Sequence, residues 1–163
     1  MPDKKAESDS ALDLVLTRVV PVPRALIWKA WTEPKHLMKW FCPAPWKTVE
    51  CEIELKPGGL FRFLMRGPAG EEHGGKGCYL AVEAPGRLVW TTVLTAGYRP
   101  SGDTFMPFTC ILTFEDAPGG TRYTACALHT NAEDVKKHLE MGFHDGWGKA
   151  LDQLVAIAGE LKG

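Results

Sequence analysis

An apolar stripe near the C-terminus constrains the fold of this chain more than any other feature. Its members follow one another at four- and three-residue steps: Phe143, Trp147, Leu151, Leu154, Ala158 and Leu161. At roughly 100° per residue, this spacing places all of them on one side of a helix. Asn131 is a good N-cap, and acidic residues follow it where they favour the first helical turn. One helix is therefore predicted from Asn131 to about Leu161.

Four glycines oppose this helix, namely Gly142, Gly146, Gly148 and Gly159. Each costs about 0.8–1 kcal/mol relative to alanine in a helix interior, which makes roughly 3–4 kcal/mol together. Burial of Phe143 and Trp147 offsets this cost, at roughly 1.5–3 kcal/mol for each large side chain. A kink near Gly146 is the main alternative to one straight helix.

Apolar and polar side chains alternate through most of the chain before this stripe. In residues 48–55, for example, Cys51 and Ile53 alternate with glutamates. Such alternation is typical of antiparallel strands with one buried face and one solvent-exposed face. Strands are predicted at about residues 12–20, 48–55, 60–66, 72–83, 87–95, 105–115 and 121–130.

Two short helices are predicted between the first two strands. Residues 24–31 place their apolar side chains on one side, and Thr32-Glu33-Pro34 ends this helix, because the residue before a proline leaves the helical region. Pro34 then suits the first position of a second helix, which runs to about Trp40. One strand, two short helices, six strands and a long helix make an α+β fold with sequential antiparallel neighbours.

Composition and charge narrow the class of protein. The 163 residues are expected to form a disordered lead-in over residues 1–11 and one domain over residues 12–163. The net charge is −1, without a long run of Lys or Arg, so no nucleic-acid partner is expected. No membrane span and no signal peptide are expected either. The five cysteines include no CxxC pair, which favours reduced thiols and a cytoplasmic location.

Six segments follow one another in a specific order and spacing across residues 12–161. They are Thr17-Arg18-Val19-Val20, Ile27-Trp28-Lys29-Ala30-Trp31-Thr32-Glu33-Pro34, Leu55-Lys56-Pro57-Gly58-Gly59-Leu60-Phe61-Arg62, Pro85-Gly86-Arg87-Leu88-Val89-Trp90-Thr91, Gly119-Gly120-Thr121-Arg122 and Gly146-Trp147. Together they resemble the SRPBCC superfamily, which is also called START-like. Within it, the chain is most similar to the family named after the C-terminal domain of the heat-shock-protein ATPase activator.

The resemblance implies a helix-grip fold. In this fold a curved, seven-stranded antiparallel sheet wraps around a long C-terminal helix, and an apolar cavity lies between them. The resemblance implies no particular reaction, because the superfamily includes lipid binders, antibiotic-sequestering proteins, polyketide cyclases and a co-chaperone domain. Function therefore has to be argued from the site itself.

Ten side chains are candidates to bind a ligand between the sheet and the helix. They are Phe61, Phe63, Met65, Tyr79, Trp90, Tyr123, His129, Phe143, Trp147 and Leu151. Ligand sites are mostly apolar with a few placed polar groups, and Tyr79, Tyr123 or His129 would orient the ligand. The alternative for each residue is ordinary core packing. For His129, a lone imidazole late in the last strand, the alternative is a hydrogen-bonded core histidine.

Other motifs favour structural roles. His36 and His73 are expected at the surface, and no metal site is expected, since His138 and His144 lie six residues apart and cannot chelate together. Gly74-Gly75-Lys76-Gly77 lacks the spacing of a phosphate loop and is expected to form a hairpin turn.

Two surface features leave a partner role open. Glu50, Glu52 and Glu54 indicate a solvated strand face, with recognition of a basic surface as the alternative. An aromatic cluster in the short-helix insertion, Trp40, Phe41 and Trp46, either gates the cavity, docks a partner or caps the sheet.

Three functions are compatible with these observations. The first is a cytoplasmic protein that binds a small hydrophobic or aromatic ligand, without a cofactor or a reaction of its own, and that dimerises as similar families do. The second is a cyclase, dehydratase or hydrolase that acts on a polyketide-like or aromatic substrate. The third is a chaperone-associated interaction module, which the family name suggests.

Overall fold

A computed structural model describes residues 11–102 and 104–161 of the chain. The strands are β1 (Asp13–Val20), β2 (Lys47–Ile53), β3 (Leu60–Arg66), β4 (Glu72–Glu83), β5 (Arg87–Thr91), β6 (Leu94–Thr95), β7 (Arg99–Pro100), β8 (Phe108–Ala117) and β9 (Gly120–His129). The helices are α1 (Arg24–Thr32), α2 (Pro34–Leu37), α3 (Ala132–Glu140) and α4 (Phe143–Glu160). Apart from Ala11, the predicted lead-in lies outside the described residues.

Seven of the strands form one antiparallel sheet in the order β1-β9-β8-β5-β4-β3-β2. The first two strands of the chain therefore lie at opposite edges, and the α1–α2 segment connects those edges. This arrangement confirms the predicted α+β helix-grip fold, with its short helices between the first two strands. The region predicted as one strand over residues 87–95 differs, because it divides into β5 and β6. The short strand β6 pairs with β7 in a separate two-stranded ribbon.

The buried face of the sheet follows the predicted period of two. In β8, Phe108, Cys110, Leu112 and Phe114 are buried, and the residues between them are more exposed. In β9 the buried set includes Ala125 and Ala127, which are fully buried and small. Since each small residue occupies little depth, this part of the sheet leaves room for what packs on it.

The stripe of α4 packs into the core as predicted. Phe143, Leu151, Leu154 and Ala158 are each exposed by 1% or less. Trp147 is partly buried, and its ring centroid lies 4.6 Å from that of Phe143. The helix is thus amphipathic, and its apolar side belongs to the same core as the sheet.

The prediction of one helix from Asn131 to Leu161 was wrong in its first part. The segment forms two helices, and Gly142 between them has a φ of 85°. This left-handed conformation costs glycine little, whereas other residues resist it. The predicted cap is present, because Asn131 Oδ1 accepts a hydrogen bond from the Asp134 backbone N–H at 2.9 Å. The break falls at Gly142 rather than at Gly146, which lies within α4.

Polar contacts fix the position of α4. An ion pair joins Arg18 of β1 to Asp152 at 2.5 Å. The Gln153 amide donates to the carbonyls of Trp40 and Cys42, at 3.0 and 2.8 Å. Its oxygen accepts from the Ala44 backbone N–H at 2.9 Å. These bonds hold the loop after α2 against the helix.

Two glycine substitutions should change stability in opposite directions. We expect Gly142→Ala to lower the free energy of unfolding by about 1–2 kcal/mol, because alanine resists the left-handed conformation. We expect Gly159→Ala to raise it by up to about 1 kcal/mol, since a Cβ there meets no atom within 4 Å. Urea denaturation of both variants tests this, and equal effects of the same sign would contradict the helix break at Gly142.

Candidate functional site

A pocket of about 280 Å³ lies between the sheet and α4. Its walls come from β3, β4, β5, β8, β9, α1, α3, α4, the loop after α2 and the segment before β8. An apolar cavity of about 150 Å³ is enough to hold benzene, so this space suits a molecule of one or two rings. The pocket lies partly open to solvent, and its lining includes the exposed side chains of Phe105 and Met141.

Seven of the ten predicted ligand-binding residues line this pocket. They are Phe63, Met65, Trp90, Tyr123, Phe143, Trp147 and Leu151. Neighbours that the sequence analysis did not include contribute as well, among them Trp31, Met106 and Phe108. The helical period of α1 is a signal that could have identified Trp31. Met106 carries no such signal, because its segment was predicted as a strand and is irregular.

Phe61 and Tyr79 lie behind this wall rather than on it. Phe61 is fully buried, with its ring centroid 5.0 Å from that of Trp90. The Tyr79 ring stacks on Phe61 at 5.4 Å. Burial raises the pKa of the Tyr79 hydroxyl. The Tyr79 hydroxyl, which was predicted to orient a ligand, therefore has no direct access to the pocket.

His129 is also behind the wall, and it is not the lone imidazole that was predicted. Its Nδ1 lies 3.0 Å from the Leu12 carbonyl oxygen, and its Nε2 lies 2.8 Å from Nδ1 of His138. A carbonyl can only accept, so Nδ1 of His129 carries the proton. With both rings neutral, Nε2 of His129 must then accept, and Nδ1 of His138 must donate.

His138 is the member of this pair that lines the pocket. Aromatic rings surround it, with centroids at 5.1 Å for Phe108, 5.1 Å for Phe143 and 5.9 Å for Trp147. Burial, with a smaller contribution from His129, lowers the pKa of His138 to about 4. Sequence reasoning used His138 only to exclude a metal pair. Its place three residues after Val135 on the buried face of α3 was the available signal.

Two further polar groups belong to the lining. The Trp31 indole N–H donates to the Tyr123 hydroxyl at 3.1 Å, and burial raises the pKa of this tyrosine. The indole N–H of Trp90 is buried and has no hydrogen-bond acceptor within the described residues. A buried donor without an acceptor costs about 1–3 kcal/mol.

Cys42 is a poor candidate for a nucleophile, although it lines the pocket. Burial raises the pKa of its thiol, and only the thiolate attacks. The thiol therefore stays protonated at neutral pH, and it shares a hydrogen bond with the Thr48 hydroxyl at 3.6 Å.

The aromatic cluster of the insertion divides between two places. Trp40 and Phe41 line the pocket, whereas Trp46 packs near Gly67 outside it. The Trp40 indole N–H donates to the Ala30 carbonyl at 3.0 Å, and the Phe41 ring lies 4.9 Å from Phe63. These two side chains form part of the wall, and a gating or docking role for them stays a prediction.

The opening of the pocket is bordered by exposed apolar side chains. Phe105 and Met141 are 50% and 51% exposed. Lys137 of α3 lies over the Phe105 ring, 4.3 Å from its centroid, and donates to the Phe105 carbonyl at 2.9 Å. The segment before β8 is thus attached to α3 across the opening.

The glycine stretch in β4 is a strand interior, so the predicted hairpin turn was wrong. Gly74 and Gly75 pair with β3, and the ring of Phe63 covers Gly75. A Cβ on Gly75 would lie 2.4 Å from the tip of that ring. Because Gly75 has no side chain, the Phe63 ring can lie against its backbone and form part of the pocket wall.

The remaining predictions about polar residues have mixed outcomes. His36 lies within α2 and is only 8% exposed, so its predicted surface position was wrong. The glutamate row faces solvent and pairs with Arg62, whose guanidinium lies 3.1 Å from Glu50 and 3.2 Å from Glu52. Exposed pairs of this kind contribute little to stability.

The described residues contain neither a cluster of metal ligands nor a helix that could span a membrane. Among residues 11–102 and 104–161, no three His, Cys, Asp or Glu side chains cluster as metal ligands. In the same ranges, no helix has the length and apolarity needed to cross a bilayer.

The sequence of the chain matches a known family. Residues 21–159 match the family model described as Activator of Hsp90 ATPase homolog 1-like protein. The chain therefore belongs to this family, and the resemblance found in the sequence is confirmed. A comparison with curated proteins found no match.

Solved structures share the fold over nearly the whole chain. A protein from Nitrosomonas europaea is 41% identical, with a TM-score of 0.89 over 94% of this chain and 97% of that one. A protein from Mycobacterium smegmatis is 28% identical, with a TM-score of 0.77 and 94% of each chain covered. The AHSA1-like protein from Aeromonas hydrophila is 20% identical, with a TM-score of 0.68 over 91% and 92% of the two chains.

We expect a side chain at Gly75 to disturb the pocket wall. Gly75→Ala should lower the free energy of unfolding by about 1–3 kcal/mol, because Phe63 is packed against other rings and cannot move away freely. Gly74→Ala is the matched control, since its Cβ would meet Leu64 at 3.6 Å, an ordinary contact. Urea denaturation distinguishes them, and equal losses in the two variants would contradict the close approach of Phe63.

His138 should make the protein less stable in mild acid. Its pKa is lowered on folding, so the unfolded chain binds the proton more readily than the folded chain does. Stability should therefore fall as pH drops from about 6.5, the ordinary value for histidine, towards about 4. The difference in unfolding free energy between the wild type and His138→Asn should shrink over this interval, as chemical denaturation at several pH values can show. A constant difference would contradict the assignment.

Proposed function

We propose that this protein binds a small hydrophobic or aromatic ligand in the pocket between the sheet and α4, and that it does so without catalysing a reaction. The observation that carries this proposal is the unfilled space of about 280 Å³ between the sheet and α4, beside a closely packed core. Protein interiors normally leave few voids larger than a water molecule. A space of this size with aromatic walls is typical of ligand sites.

The character of the walls supports a flat, apolar ligand. The rings of Phe63, Phe108 and Trp147 lie on different elements and line the same pocket. Aromatic pairs favour offset or edge-to-face contacts, and such contacts add about 0.5–1.5 kcal/mol beyond area burial. A planar ring in the pocket would make several of them at once.

Three observations favour binding over catalysis. The Cys42 thiol has a raised pKa, and His129 uses both ring nitrogens within the protein. His138 has a pKa lowered to about 4, which makes it a weak base at neutral pH. The cyclase-like alternative and the chaperone association suggested by the family description stay predictions, as do a cytoplasmic location and a homodimer.

A cavity-filling substitution should separate binding from folding. We expect one- and two-ring aromatics such as naphthalene to stabilise the wild type, by about 2.7 kcal/mol at a hundred times the dissociation constant. Ala150 lines the pocket from α4, so Ala150→Phe should remove this stabilisation. Ala156→Phe is the matched control, because Ala156 is exposed on the same helix.

Differential scanning fluorimetry of the three proteins measures these shifts. The proposal requires a ligand-induced rise in melting temperature for the wild type and Ala156→Phe, but none for Ala150→Phe. If no aromatic probe stabilises the wild type, or if Ala150→Phe responds as strongly as the control, the pocket does not bind such ligands.

A further inference from the structure

The hydrogen-bond relay behind the pocket determines what His138 can offer to a ligand. The Leu12 carbonyl oxygen accepts from Nδ1 of His129, at 3.0 Å. Nε2 of His129 is then left to accept from Nδ1 of His138, at 2.8 Å. A neutral imidazole carries one proton, so Nε2 of His138 is a bare acceptor. It has no hydrogen-bond partner within residues 11–102 and 104–161.

The apolar surroundings of His138 strengthen a hydrogen bond to this acceptor. Phe108, Phe143 and Trp147 enclose the imidazole, and the residue is only 6% exposed. The titratable group that faces His138 is His129, and Lys137 on the same helix is held at the Phe105 carbonyl. In such low-dielectric surroundings a single hydrogen bond is stronger than in water.

We propose that Nε2 of His138 is a hydrogen-bond acceptor of the pocket and selects neutral aromatic ligands that carry a hydroxyl group. Phenols donate one hydrogen bond and are otherwise flat and apolar, so they fit both the rings and the acceptor. Ethers of the same shape lack the donor, and carboxylates would bring a second acceptor and a charge against the bare nitrogen. This inference rests on the proposed function, because it presupposes that the pocket binds aromatic molecules.

His129 is a positioning residue in this scheme. It does not line the pocket, but it determines which nitrogen of His138 carries the proton. Without its acceptor, His138 could place the proton on Nε2 and become a donor towards the pocket. The preference for hydroxyl over ether ligands should therefore depend on a side chain that touches neither.

Three naphthalene probes test the selection. Naphthalene, 2-naphthol and 2-methoxynaphthalene share one ring system, and their dissociation constants can be measured at pH 7 by fluorescence competition. In the wild type, 2-naphthol should bind about three- to tenfold more tightly than the methyl ether, as expected for one net hydrogen bond. Naphthalene reports the aromatic pocket alone.

Two different substitutions remove Nε2 of His138, so that a folding defect in one variant does not prevent the test. His138→Asn keeps an N–H donor near the position of Nδ1, so the bond to His129 can persist, while Nε2 is removed. His138→Phe keeps an aromatic ring but removes both nitrogens. In each variant the preference is the ratio of the dissociation constants for 2-methoxynaphthalene and 2-naphthol, and naphthalene reports whether the altered pocket still binds a ring. Both His138 variants should lose the three- to tenfold preference for 2-naphthol, while His129→Leu should reduce it.

Ring ¹⁵N chemical shifts add a readout that packing alone would not move. They should show the Nδ1–H tautomer of His138 in the wild type and a changed tautomer ratio in His129→Leu. A wild-type Nε2–H tautomer, or a naphthol preference that survives both His138 substitutions, overturns the inference even when naphthalene binds. If naphthalene and 2-naphthol both fail to bind, the inference falls together with the proposed function.

Discussion

The contact between the apolar stripe of α4 and the sheet is the interaction on which the rest of the structure depends. Phe143, Leu151 and Leu154 are almost completely buried by it. At roughly 1.5–3 kcal/mol for each large side chain, this burial exceeds the cost of the glycines within α4. Arg18 and Gln153 then add directional contacts that fix where the helix lies. A helix held in this way can leave space beside it without losing its position.

Periodicity was sufficient to predict this arrangement in outline. The seven main strands, the short-helix pair and the α4 stripe each carry a local pattern of period two or 3.6. The break at Gly142 carries no such signal, because an N-cap at Asn131 and the stripe that follows are both compatible with one long helix. Which glycine adopts the left-handed conformation depends on tertiary packing, and the sequence contains four candidates in this segment.

The pocket residues show a similar limit. Phe61 and Phe63 share one face of β3, and the sequence cannot separate their roles. Phe63 reaches the pocket because Gly75 lies under its ring, whereas Phe61 is enclosed by Tyr79 and Trp90. Whether an inward side chain lines a space or fills the core depends on what the neighbouring strands place beside it. That information lies in the register of the sheet, which single-sequence periodicity specifies only in part.

The histidine pair gives an otherwise apolar pocket one hydrogen-bonding group with a defined orientation. Replacing both partners of a buried hydrogen bond by apolar groups of the same shape is often nearly neutral for stability. An apolar pair of the same shape would therefore serve packing about as well as His129 and His138, and Leu12 supplies a carbonyl that only accepts. The pair instead affects the chemistry of the pocket. The Leu12 carbonyl oxygen determines the tautomer of the His138 ring through two successive hydrogen bonds, and this ring lines the pocket.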